Sequence, residues 1–178
     1  MGEISDLQKA WTAAAVRALN NANSWTGRIH IHKLLFILQT IKGLDVPFEF
    51  ELYQYGPYSF ALDHTIADMD TYGNIERFYR QPGYGPSYCL PENCDEISDQ
   101  IPNEIMKKIE ATAKLLGDLN SKDLELVATT YWVTEIEAAA EDEEIVDRVL
   151  TIKPRYSREE IESRLVKARE IKKSLLGV

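Results

Sequence analysis

One stretch constrains this chain more than any other: a six-residue alternation that runs into a Gly-Pro turn. Phe48-Glu49-Phe50-Glu51-Leu52-Tyr53 sets apolar against acidic side chains at every second position, the period of a strand with one buried face. Tyr55-Gly56-Pro57-Tyr58-Ser59 follows at once. Gly56 permits a backbone angle that other residues resist, and Pro57 fixes the next one. Ser59 is then placed to cap a helix carrying Leu62, Ile66 and Met69 inward and stopping at Gly73. The turn is thus expected to join a half-buried strand to a capped helix.

Two helices precede it. Ser5-Asp6-Leu7-Gln8 has the spacing of a capping box, and Leu7, Trp11, Ala14, Ala15 and Ala18 fall on one helical face. The segment from about Ile29 to Ile41 is apolar on most sides, so it is expected to lie buried among neighbours. After Gly73, Asn74–Tyr79 and Ser87–Leu90 flank the turn-rich Gln81-Pro82-Gly83-Tyr84-Gly85-Pro86, which predicts a β-hairpin. Two helices, a short strand, a third helix and a hairpin give a winged-helix-like unit over residues 1–92. An acidic connector leads into residues 93–178, read as a helical unit packed on the first, with one continuous domain as the alternative. Its helices are expected near 103–117, 121–134, 141–152 and 157–176; the last opens on a second capping box, Ser157-Arg158-Glu159-Glu160. The fold class predicted is mainly α (α+β), with a small antiparallel β-sheet.

Composition removes several functions. A charged fraction of 28% and an apolar fraction of 44% are ordinary for a globular chain. No apolar run reaches the roughly 20 residues of a membrane-spanning helix. The N-terminus lacks a signal-peptide pattern, and Asp6 stands where acylation of Gly2 would want Ser or Thr. Cys89 and Cys94 are too few for a disulfide framework, which points to the cytoplasm. The net charge of -9 argues against broad binding of nucleic acid, although the tail from Lys153 onward is locally basic.

No catalytic set stands out. There is no G-x-S-x-G, no phosphate loop, and only one Gly beside a Pro in the turn. His30, His32 and His64 with the two cysteines do not fall at zinc-ligand spacing. Glu141-Asp142-Glu143-Glu144 reads as charge complementing a helix N-terminus. No catalytic residue, cofactor or metal is therefore expected. Tyr and Arg density is the informative feature: Tyr53, Tyr55 and Tyr58 around the turn, with Arg77 and Arg80 on the hairpin, form the expected partner-binding surface.

Lys33-Leu34-Leu35-Phe36-Ile37-Leu38-Gln39, Phe48-Glu49-Phe50, Tyr53-Gln54-Tyr55-Gly56-Pro57-Tyr58-Ser59 and Tyr72-Gly73-Asn74-Ile75 resemble the YwgA-like family of uncharacterised bacterial and archaeal proteins. They are more distantly similar to the Panacea or SocA-like antitoxin domain. The resemblance is clearest over residues 25–80. It implies no catalytic residue, and it implies action through a partner protein, for the antitoxins usually a toxin. Those antitoxins usually carry Trp before the turn, where this chain has Glu51-Leu52-Tyr53-Gln54.

The leading expectation is therefore a non-enzymatic recognition module, antitoxin- or adaptor-like, that binds a protein partner and is able to form a homodimer. The alternative is a winged-helix DNA-binding transcriptional regulator using Arg155, Arg158, Arg164 and Lys167 near and on the final helix. An enzyme without a short motif ranks behind both.

Overall fold

The chain is mainly α-helical with a small antiparallel β component, as seen in a computed structural model that describes residues 4–92 and 94–177. Gly2 lies outside the described residues. α1 (Asp6–Asn21) starts at Ser5, whose side chain accepts from the Gln8 amide while the Gln8 side chain caps in return. α2 (Arg28–Thr40) is buried without a break from His30 to Leu38 and forms the axis of the molecule. β1 (Glu51–Tyr53) and β2 (Gly56–Tyr58) pair with Tyr53 opposite Gly56. α3 (Phe60–Thr71) follows, capped by Ser59. β3 (Glu76–Phe78) and β4 (Ser87–Cys89) make a second, separate hairpin.

The remaining elements are α4 (Asp95–Ser98), α5 (Asn103–Leu116), α6 (Ser121–Tyr131), a π-helical turn (Trp132–Ile136), α7 (Asp142–Ile152) and α8 (Arg158–Leu176). Asn120 caps α6, accepting from the amides of Lys122 and Asp123. The second capping box, Ser157 with Glu160, opens α8. α1 packs on α2, α3, α4 and α5, and α6 packs between α2 and α8. The main core draws on both halves of the chain, from Ala10 to Leu175, and a smaller cluster around Leu126, Val149, Ile161 and Leu165 sits beneath α7. Among the described residues, no helix is long and apolar enough to cross a membrane.

Three details differ from the sequence reading. The alternating stretch enters the ladder only at Glu51, because the carbonyls of Val46 and Phe48 are taken by the Gln39 side-chain amide, each at 3.0 Å. The turn does not pass directly from strand to helix either. Gly56, at φ +85°, reverses the chain so that Gly56–Tyr58 is itself a strand returning along β1. The second hairpin forms as expected, but the two hairpins belong to separate sheets, so the strand before the turn does not join it in one small sheet.

α6 and α8 are tied by one buried polar contact, the Tyr131 hydroxyl donating to the Ala168 carbonyl at 2.6 Å. Tyr131→Phe is expected to cost about 1–2 kcal/mol, read as a lower urea midpoint with an unchanged m-value.

Candidate functional site

The Tyr55–Ser59 turn rests on buried charge. Gly56 packs so closely that an added Cβ would lie 2.9 Å from Thr129 Oγ1 and 3.6 Å from Lys33 Cε. Lys33, 1% exposed in the apolar run of α2, donates from Nζ to the Pro57 carbonyl at 2.7 Å. Lys153, 3% exposed, donates to the Gln54 carbonyl at 2.6 Å on the other side of the turn. Between them lies Glu125 of α6, 2% exposed. Its Oε1 stands 2.9 Å from Lys153 Nζ as an ion pair without an aligned hydrogen bond, and its Oε2 takes Arg155 and the Tyr156 hydroxyl. Burial pulls the Lys33 ammonium down to about 7; Glu125 opposes that shift and Lys153 adds to it.

An aromatic shelf is built on this support. Tyr58 stacks on His32 with centroids 4.4 Å apart and planes 6° from parallel. Phe60 meets Tyr58 edge-on at 5.1 Å and Tyr53 at 5.4 Å, and Tyr53 lies 5.5 Å from Tyr58. Tyr53 and Phe60 are 52% and 57% exposed. Tyr55 sits under the Arg155 guanidinium at 5.4 Å. At the shelf's edge the Asp63 carboxylate, in the first turn of α3, pairs with Arg28, whose Nε donates to the Tyr88 hydroxyl. Burial, with the neighbouring Asp63 carboxylate, pushes the Tyr58 phenol up to about 12. His32 is held between the carbonyls of Arg28 (Nδ1, 2.7 Å) and Ser59 (Nε2, 3.1 Å). Burial lowers both His32 and His30 to about 4.

The structure gathers Tyr53, Tyr55 and Tyr58 into one surface and adds Phe60, Asp63 and Arg28, none of which the sequence reading singled out for a site. Arg77 and Arg80 belong to the other hairpin: Arg77 pairs with Asp70, and Arg80 donates to the Ser24 carbonyl and lies over Trp25 and Phe78. Of the basic residues chosen for DNA, Arg155 joins the turn's support. Arg158 pairs with Asp147, Arg164 with Asp123 at 2.6 Å, and Lys167 with Glu170 at 3.7 Å. α8 is packed, with Ile161, Leu165, Ala168, Ile171 and Leu175 buried. The supporting network left a trace in the sequence: Lys33 and Glu125 are lone charges inside apolar helical runs, and such charges are rarely buried unless paired.

The chain matches no family model. It is similar to a DNA ADP-ribosyl glycohydrolase from Thermus aquaticus, 29% identical over 133 residues. The match takes in 72% of this chain and 36% of that protein, so the chain spans about a third of the relative's length. This finding overturns the expectation of a non-enzymatic recognition module, with its SocA-like antitoxin and winged-helix regulator forms, and points to an enzyme. The missing short motifs do not exclude such an activity. Nucleophile elbows and phosphate loops leave short motifs, whereas glycosidic hydrolysis asks only for carboxylates brought together in space.

Glu125→Gln removes the counter-charge of two buried lysines and is expected to cost about 3–5 kcal/mol in urea denaturation. Acid acts through the histidines. Their folded pKa values lie below the unfolded value of 6.5, so between pH 6.5 and about 4 the unfolded chain binds more protons. Stability is therefore present above pH 6.5 and lost as pH falls through that window, with a slope of up to about 1.4 kcal/mol per pH unit for each histidine. His30→Gln should flatten the fall in midpoint between pH 6.5 and 5.

Proposed function

We propose that this chain acts in the removal of ADP-ribose from DNA. The observation that carries the reading is the 133-residue match to a protein of that activity. The shelf supports it. Tyr53 and Phe60 offer exposed rings on which a nucleobase can stack, a contact that tolerates any base because each has a π-face. Asp63 supplies a carboxylate beside them, oriented by Arg28 and close to the Tyr58 hydroxyl. In the reaction, water adds to the anomeric carbon of the ribose as its bond to DNA breaks. Asp63 takes a proton from that water and passes it on to the DNA leaving group, so that the carboxylate is restored. The DNA expected as a partner becomes the bearer of the substrate. The free thiols Cys89 and Cys94 suit the reducing cytoplasm where bacterial DNA lies.

The test is release of free ADP-ribose, measured by chromatography, from an oligonucleotide carrying ADP-ribose on a base. The wild-type chain is expected to release it. Asp63→Asn should lower kcat by about 100-fold or more, while Tyr53→Ala with Phe60→Ala should act mainly on KM. No release above a buffer control by the folded chain, at stoichiometric concentration, overturns the reading.

A further inference from the structure

Lys33 is buried without a counter-ion of its own. Its side chain lies beneath the Gly56–Pro57 backbone and is almost fully enclosed. Among the described residues its amino group has one hydrogen bond, to the Pro57 carbonyl, and no ion pair. Glu125 acts on it only from a distance, because that carboxylate is taken on one oxygen by Lys153 and on the other by Arg155. Two buried amino groups thus share one buried carboxylate, while Arg155 is half exposed and solvated. With both lysines charged the interior holds an uncompensated cation; with Lys33 neutral it is balanced. A buried charge left without a partner sheds its proton rather than stay charged.

The surroundings make Lys33 the group that titrates. α6 brings Glu125 and the end of α7 brings Lys153, with Arg155 and Tyr156 on the same carboxylate. On α2 itself, His30 and His32 feel the Lys33 charge. β2 brings Tyr58, stacked on His32, and α3 brings Asp63, which also acts on His32. α1 and α5, packed on the same helix, bury only uncharged side chains. Burial pulls Lys33 down from 10.5 to about 7. The two histidines lie near 4 and the Tyr58 phenol near 12, outside that interval.

The layer above Lys33 is thin. β1 and β2 pair over three positions in a two-stranded sheet, and such a hairpin is marginally stable by itself. Tyr53, Gln54 and Tyr55 face solvent. Lifting Gly56 and Pro57 would bring water to the Lys33 amino group.

We infer that Lys33 is a proton switch for the Tyr55–Ser59 turn: neutral, it holds the Pro57 carbonyl in a closed turn; protonated, it drives the turn open and draws Tyr58 away from His32. The open turn, with Lys33 in water at its usual 10.5, binds more protons than the closed turn between pH 10.5 and about 7. Closure is therefore fully favoured above this window. It weakens by up to about 10-fold per pH unit as pH falls to about 7, and no further below that. Tyr53 and Tyr58 stand on the two strands of this hairpin, so the shelf is complete only in the closed turn. The switch goes beyond the proposed hydrolysis and holds whether or not the chain cleaves ADP-ribose.

Hydrogen exchange of the whole chain, read by mass spectrometry on fragments covering residues 51–58, tests it. After division by the intrinsic amide rate, protection there is expected to rise about 10- to 100-fold between about pH 7 and 9. Fragments of the second hairpin, residues 76–89, should stay level. Lys33→Met removes the charge at similar volume and should make protection over 51–58 independent of pH. The Lys33 Cε resonance of the wild-type chain, followed by carbon NMR, should titrate with a midpoint of about 7 and decides the matter if the variant does not fold. A midpoint above about 9.5, protection over 51–58 that does not rise with pH, a rise shared equally by 76–89, or a rise that Lys33→Met retains overturns the inference.

Discussion

Two buried lysines and one buried glutamate hold the Tyr55–Ser59 turn in place. Lys33, Glu125 and Lys153 come from α2, α6 and the end of α7, and the two lysines donate into backbone carbonyls on either side of one turn. A buried cation is tolerable only when it is paired and hydrogen-bonded. The cost of leaving any member alone therefore forces four distant segments to meet at once. Gly56 belongs to the same constraint, because its missing side chain is what lets the backbone approach Thr129 and Lys33 so closely.

α2 distributes the consequences. At 100° per residue, its polar side chains leave the helix in different directions. Arg28 and His32, four apart, share a face and reach Asp63 and Tyr58. His30 faces the Leu119 carbonyl instead, and Lys33 the turn. One helix thus fixes the shelf and the turn's anchor, while Leu34, Leu35, Ile37 and Leu38 fasten it into the core. Movement of α2 would shift both together.

The electrostatics of α8 follow another logic. Its arginines and lysines look basic in one dimension, but Asp123, Glu135, Asp142 and Asp147 from α6, the π-helical turn and α7 lie within reach of them. The acid that gives the chain its net charge of -9 is placed to balance the basic helix. Arg80 is the contrast, a cation held by a carbonyl and two aromatic rings.

Local signals were legible in the sequence wherever the physics is local. Both capping boxes, the helix periods, the second hairpin and the tyrosines around the turn could be read from spacing, because a cap, a 3.6-residue period and a Gly-rich tip act within a few residues. The return of β2 along β1 was missed, since Pro57 lacks the amide expected of a strand residue and Gly56 pairs with Tyr53 at positive φ. Tertiary structure alone decided the rest. That Asp63 and Arg28 stand at the shelf, that Arg80 does not, and that Lys33 meets Glu125 all depend on contacts 24 to 92 positions apart. Charges at such separations carry no spacing rule. The Tyr55–Ser59 turn was determined by the sequence as a bend, and only burial of the lysines made it a fixed platform.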